Sequence, residues 1–386
     1  MTPFVLLCAI RHVCTEVGQP AGPTVTADAA IVVHADTGRI LWGRNIHRKT
    51  YPASTTKILT TLILLENSNP DDRITAPQDT KKIPESSLHL VPGESISAKD
   101  AAYALMLRSA NDVAHAVAVH FDGSDAGFAR RMDAYAIKIG MRDSHFENPN
   151  GLPSPWHKTT AYDLAVLGIH ARKNNQLVEI SRTQTYSVTR DPLQKDTLLV
   201  NRNKLLKEDP NNWGFKTGFT NDAGRCFVGY VKSPVGDLVT VILGSVDWAG
   251  DQTALSRWAA GTFKLIPDIA EAHPVSIRAQ NQSGDIPLSL APAKPVAAIL
   301  SQNDMDKMKV ELPVLKAPIK KGEPVGMVAY SLPDGTVYKV PVVAANAVEA
   351  QFAPADALRN PAAWVFLAAA GGAYWYRRRA YDRLNS

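Results

Sequence analysis

Strand-like segments stand at the two ends of one long stretch of the chain, and this constrains the fold more than any other feature of the sequence. Ala30 to Ala35 and Arg39 to Trp42 are short apolar runs joined by Asp36-Thr37-Gly38, a turn sequence that suits a hairpin. Comparable segments return at Arg225 to Val231 and Leu238 to Gly244. Strand backbones need partners, so the expectation is one antiparallel sheet built from distant segments. Helical patterns fill the interval and predict a cluster packed on that sheet.

The helical segments read as Lys57 to Glu66, Lys99 to Leu107, Asp112 to His120 and Phe128 to Ile139, with a break at Ser109. Thr160-Ala-Tyr-Asp163 has the form of a capping box opening a helix to about Arg172. A further helix is expected to carry Leu255, Trp258, Ala259 and Phe263 on one face. From His273 the texture changes. Met308 to Leu312, Val325 to Tyr330 and Val337 to Val343 are short strands punctuated by Pro and Gly, which predicts a small all-β domain. A chain of 386 residues exceeds what one core usually organises. We therefore expect an α/β (α+β) domain over 24–268 and the β domain over 273–351. A linker over 352–361 would follow.

The two ends carry an address. Pro3 to Ile10 is a short apolar run, and residues 1–23 resemble a secretory leader, although no cationic segment precedes the run and Arg11 interrupts it. At the other end 362–376 is uncharged, with Trp364 at one border and Tyr374, Trp375 and Tyr376 at the other. Arg377, Arg378 and Arg379 follow at once, so 377–386 reads as a cytoplasmic tail behind a membrane anchor. At about 1.5 Å per residue this segment is short for a ~30 Å hydrocarbon core, and a span and an interfacial helix both remain open. Of the three cysteines, Cys8 and Cys14 fall in the leader, leaving Cys226 as a small buried strand residue. The formal charge is only +5 and no basic stripe with interleaved aromatics occurs, so no nucleic-acid partner is expected.

Three motifs carry chemistry. Ser54-Thr55-Thr56-Lys57 puts a hydroxyl at a helix start and an amine one turn later on the same face. A lysine activates a hydroxyl only while neutral, which burial and nearby cations favour. Alone, the pattern equally describes an N-cap serine and a solvated lysine. Ser109-Ala110-Asn111 lies at the helix break, where a hydroxyl can relay a proton and an amide can bind a peptide carbonyl; a helix stop followed by a cap explains it as well. Lys216-Thr217-Gly218 enters a strand-rich stretch, where lysine and threonine can grip a carboxylate and glycine admits a close backbone. The N–H of Phe219, paired with that of Ser54, would face a developing oxyanion.

Together the motifs are more specific. They occur in fixed order, separated by 55 residues (54 to 109) and 107 residues (109 to 216). That set resembles the penicillin-binding proteins and serine β-lactamases. Tyr51-Pro-Ala-Ser, Arg108-Ser-Ala-Asn-Asp112, Asn148-Pro-Asn-Gly-Leu152 with His157, Asn201-Arg-Asn203, and Val314 to Gly322 narrow the resemblance to the low-molecular-mass D-alanyl-D-alanine carboxypeptidases, over residues 24–351.

The resemblance implies a transpeptidase-like fold and an enzyme of the extracytoplasmic face of a bacterial inner membrane, acting on peptidoglycan pentapeptides and acylated by β-lactams. Ser54 would attack, Lys57 accept its proton, and Ser109 return a proton to the leaving D-alanine. Asn111, Lys216, Thr217, Gly218 and Arg202 would bind substrate. No metal and no cofactor is called for. Phe219 replaces a histidine of well-known relatives, and a second family arginine has no clear counterpart, Arg257 being nearest. The competing expectations are a serine β-lactamase, for which Glu147 would have to serve as base, and a non-catalytic envelope scaffold. His115 and His157 are expected to be structural.

Overall fold

The computed structural model describes residues 21–190, 194–281, 284–349, 364, 369 and 371–379. Cys8, Cys14 and nearly all of the leader-like segment lie outside the described residues, as does part of the expected anchor. No helix among the described residues is long and apolar enough to cross a membrane.

The contacts divide the chain into two compact units. The first runs to Leu265 and takes back Ile299–Asp306; the second holds Ile266–Ala298 and the chain from Lys307. At the centre of the first lies a five-stranded sheet of β1 (Ala29–His34), β2 (Ile40–Arg44), β3 (Asn212–Thr220), β4 (Gly224–Ser233) and β5 (Gly236–Ser245). Its order is β2-β1-β5-β4-β3, and every neighbouring pair is antiparallel. The hairpin turn follows the expected sequence, with Gly38 at φ +73°. β1 pairs along its length with β5, Ala29 opposite Leu243 and His34 opposite Leu238, so the sheet is indeed assembled from distant segments.

Both faces of the sheet are covered. Ile31, Val33, Val239 and Val241 pack with Ile58, Leu62 and Leu164 on one side. Ala30, Val32, Phe227 and Ile242 pack with Leu255 and Ala259 on the other. Successive strand residues thus alternate between two cores, which is why β1 reads as an unbroken apolar run.

The helical cluster on the first face comprises α1 (Lys57–Asn67), α2 (Ala98–Tyr103), α3 (Asn111–Asp122), α4 (Asp125–Ile139), α5 (Ala161–Ala171) and α6 (Asn175–Arg182). Thr160 caps α5 by accepting from the Asp163 N–H at 3.0 Å. The Asp163 carboxylate turns away to accept from Asp143 N and Ser144 Oγ, at 2.9 and 2.7 Å, and so ties the preceding loop down. The periodicity did not disclose α6. On the opposite face α7 (Trp248–Thr262) ends one residue before Phe263, which opens a strand instead of completing the helix face.

Two buried or half-buried ion pairs hold this unit at its seams. Arg39 meets Asp304 with two contacts of 3.0 Å, pinning the returning Ile299–Asp306 segment. His115 on α3 contacts Asp125 at 2.7 Å and Asp79 at 3.1 Å, and these carboxylates raise its pKa to about 9. Cys226 is fully buried and free, and burial pushes its thiol up to about 12.

The second unit contains a six-stranded sheet with Lys309–Glu311, Pro324–Ser331, Val337–Ala344, Gly284–Pro292, Ser276–Asn281 and Leu315–Lys316 in spatial order. The segments expected at Met308, Val325 and Val337 are all strands. The strands at Ser276 and Gly284 lie outside those expectations; they pair antiparallel with each other, and Ser276–Asn281 carries the parallel pairing to Leu315–Lys316.

Candidate active site

The chain reaches α1 through a single 3₁₀ turn, Ala53–Thr56, so Ser54 sits just ahead of the α-helix and Lys57 is its first residue. Ala53 adopts φ +48°, an uncommon conformation for a residue with a Cβ. Two glycines permit the turn to lie where it does. Gly151, at φ +84°, presses on the Ala53 carbonyl, where any Cβ would collide. Gly218 on β3 lies against the other side: a Cβ there would stand 2.9 Å from Ser54 N and 3.2 Å from Thr55 N. The glycine therefore serves the approach of the protein's own backbone.

Lys57 is completely buried. Its Nζ lies 3.2 Å from Ser54 Oγ and donates at 2.6 Å to both Asn111 Oδ1 and the Asn150 carbonyl. The Asn111 amide is oriented by Nδ2 donating to Pro84 O at 2.9 Å, which turns Oδ1 toward the amine. Burial holds the Lys57 pKa well below the usual lysine range, the charges of Lys216 and Arg202 lower it further, and Asp112 opposes them. The N–H groups of Leu88 and Leu90 donate to Asp112 at 2.9 Å each.

Those contacts fold a loop over the start of α3. The loop also accepts from Asn111 N at Ser86 O, 2.7 Å, and Ser86 Oγ accepts from Arg202 Nη1 at 2.7 Å. Beyond it Arg190 and Glu94 form a buried pair, 2.7 Å from Nε to Oε1.

Ser109 ends a wide turn of π geometry, Ala104–Arg108, in the left-handed region at φ +66°. Such bulges are frequent at functional sites. Its Oγ is buried and has no hydrogen-bond partner among the described residues. A buried hydroxyl left open is costly.

Lys216 lies within β3, already inside the strand. Its side chain is buried, Nζ donates to Thr217 O at 3.0 Å, and burial followed by the Arg202 charge lowers its pKa to about 7. Phe219 is 59% exposed.

The structure thus gathers Ser54, Lys57, Asn111 and Gly218, with the charges of Lys216 and Arg202 acting on Lys57. It leaves Arg257 exposed on α7. Asn150 and Ser86 also enter the site, and only the Asn-Pro-Asn-Gly turn signalled the first of them.

His157 supports the site from beneath. Its Nδ1 accepts from Glu147 N at 3.1 Å, and Nε2 lies 3.1 Å from Thr56 Oγ1. Burial lowers its pKa to about 4, so the ring is neutral at pH 7 and Nε2 carries the proton. The Glu147 carboxylate is taken up locally, accepting from Ser154 Oγ and from Trp156 N.

A half-buried serine hydroxyl beside a buried, charge-disfavoured lysine, with a second lysine on the edge strand of a helix-covered sheet, defines the class of active-site-serine enzymes of the penicillin-binding type. The chain belongs to the D-alanyl-D-alanine carboxypeptidase family, which its residues 15–247 match; residues 275–350 match the penicillin-binding protein 5 C-terminal domain. It is 28% identical over 339 residues to the D-alanyl-D-alanine carboxypeptidase DacF of Bacillus subtilis, covering 82% of this chain and 85% of that one. DacC of Escherichia coli, a D-alanyl-D-alanine carboxypeptidase, is 28% identical over 349 residues, 85% of each chain. The fold is shared with the crystal structure of the D-alanyl-D-alanine carboxypeptidase DacD from Francisella tularensis, at a TM-score of 0.70 and 24% identity over 89% of this chain and 98% of that one.

Proposed function

We infer that this protein removes the terminal D-alanine from peptidoglycan stem pentapeptides through an acyl-enzyme on Ser54, and that β-lactams acylate the same hydroxyl. The observation that carries this reading is the coordination of Lys57 Nζ. Two of its neighbours, Asn111 Oδ1 and the Asn150 carbonyl, can only accept, each at 2.6 Å. A neutral amine has two N–H groups, which these acceptors engage. The remaining lone pair is left for Ser54 Oγ–H, 3.2 Å away. Low pKa and geometry therefore agree on lysine as general base, an effect worth roughly 10²–10⁴-fold.

Ser54 Oγ attacks the carbonyl between the two D-alanines while its proton passes to Lys57 Nζ. The backbone N–H groups of Ser54 and Phe219 face the oxyanion, a contribution of about 3 kcal/mol per donor. As the C–N bond breaks, the unpartnered Ser109 hydroxyl relays a proton to the departing amine. Water, deprotonated by the same amine, then cleaves the ester and frees Ser54. Lys216, Thr217 and Arg202 hold the terminal carboxylate, and Asn111 orients the peptide. Engagement of Glu147 with Ser154 and Trp156 weighs against it as a β-lactamase-type base.

The address at the chain ends supports an envelope enzyme, secreted by the leader-like segment and held to the inner membrane by 362–376. The division into 24–268, 273–351 and a 352–361 linker belongs to the same proposal.

D-Alanine release from an acyl-D-Ala-D-Ala pentapeptide, with mass spectrometry of the penicillin-treated protein, tests the reading. We expect release, and an adduct on Ser54 that Ser54→Ala lacks. Rapid steady hydrolysis of a cephalosporin would favour the β-lactamase alternative. Protein that neither releases D-alanine nor takes up penicillin would favour a scaffold.

A further inference from the structure

The corner where β3 ends and β4 begins carries a guanidinium that the chemistry above leaves unused. Strand register places Arg225 opposite Phe219, Cys226 opposite Gly218 and Phe227 opposite Thr217. Directly opposed residues share a face of the sheet. Thr217, Phe219, Arg225 and Phe227 therefore line one face of this hairpin, while Gly218 turns its other side to the Ser54 turn.

Phe227 is buried against Trp248 of α7, with ring centroids 4.6 Å apart. Arg225, nearer the strand end, is exposed. Its guanidinium lies 5.8 Å from the Phe219 ring centroid, within cation–π range. Among the described residues no carboxylate pairs with it. Diagonal neighbours in an antiparallel pair are about 7–8 Å apart, so a small anion at Thr217 is within reach of the long Arg225 side chain.

We propose that Arg225, steadied by Phe219, recognises the free α-carboxylate of the substrate's C-terminal residue together with Thr217. The proposal rests on the carboxypeptidase reading and deepens it, assigning the preference for a free C-terminal acid to a residue on β4. A planar guanidinium matches a carboxylate in a two-bond fork, which an ammonium does not. Phe219 then has two functions: its N–H faces the oxyanion, and its ring limits where the guanidinium can go.

The test compares an acyl-D-Ala-D-Ala peptide with its C-terminal amide, in the wild type, Arg225→Ala and Arg225→Lys. Arg225→Ala is expected to lower kcat/KM for the acid about tenfold, mostly through KM, and to leave the amide unchanged. Arg225→Lys should fall between them. An unaltered melting temperature confirms that the exposed substitution leaves the fold intact. Equal losses on acid and amide, or no loss on the acid, would overturn the proposal alone. A wild type that cleaves neither peptide overturns the carboxypeptidase reading, and this proposal with it.

Discussion

Gly218 and Ser54 are in backbone contact: a Cβ on the glycine would stand 2.9 Å from the serine nitrogen and 3.1 Å from Ala53 Cβ. The edge strand is thereby seated on the turn that presents the hydroxyl, and both expected oxyanion donors lie at that junction. Gly218→Ala should push β3 away by a few tenths of an ångström. We expect the penicillin acylation rate to fall about 10²-fold, the cost of one misplaced oxyanion donor. Stopped-flow acylation, with the melting temperature as control, measures this; an unchanged rate would show that the close approach has no functional weight.

Lys57→Met removes the amine, whose charged form burial disfavours. Acylation should drop by about 10²–10⁴-fold. Stability should fall by about 1–3 kcal/mol, since Asn111 Oδ1 and the Asn150 carbonyl are left as buried acceptors without a donor. Urea denaturation beside fluorescent-penicillin labelling separates the two effects.

Asp112 couples the loop over α3 to the lysine. Asp112→Asn keeps the shape but sets an amide N–H₂ or a weaker acceptor against the N–H groups of Leu88 and Leu90. A loss of about 1–3 kcal/mol in the loop's attachment follows, visible as faster proteolysis between Ile83 and Val91. The aspartate charge also raises the Lys57 pKa, so its removal should lower that pKa further and move the acidic limb of the acylation profile to lower pH. A limb that stays in place would mean that Asp112 does not act on Lys57.

Lys216 loses its proton as pH rises through about 7. Its charge, and with it a grip on the substrate carboxylate, is present below that pH and absent above it. KM for the free-acid peptide should therefore rise from pH about 6 to about 9, while the KM of the amide stays flat. Bound carboxylate favours the protonated lysine, so the rise that sets in near the free-protein value of about 7 continues to higher pH before it levels off. Parallel behaviour of acid and amide would contradict this assignment.

His115 makes the opposite kind of contribution to stability. Its folded pKa, about 9, exceeds the ordinary value of 6.5, so the folded state holds the proton more tightly. Stability from this clamp is complete below about pH 6.5 and disappears as pH climbs through 9. One partner, Asp79, is largely exposed, which reduces the worth to about 1–2 kcal/mol. The melting-temperature gap between wild type and His115→Gln should be widest near pH 6 and should nearly close above pH 9.5.

The pairing of Ser54 with Lys57 was legible because a helix repeats within four residues, and spacing along the chain fixes the shared face. The hairpin at Asp36-Thr37-Gly38, the cap at Thr160 and the long apolar helices were legible for the same local reason. Helix α6 escaped notice because it is brief. The strands from Ser276 and Gly284 lie where Pro, Gly and polar residues blur the period-2 pattern. Gly218 was expected to make room for substrate, yet its neighbour is the Ser54 turn. Its proximity to that turn is set by the packing of β3 and cannot be read from Lys-Thr-Gly text.

The order and identity of the reactive groups, two hydroxyls, two amines and an amide on a helix-flanked sheet, were determined by the sequence alone, since residue type and short-range periodicity are written there. Tertiary structure decided everything that depends on distance. It buried Lys57 among acceptors, lowered its pKa by that burial and by charges brought from Lys216 and Arg202, supplied the Asn150 carbonyl, and set Arg225 beside Phe219. Desolvation and Coulomb interaction vary with separation in space, and segments far apart in the chain acquire a separation only when the sheet closes.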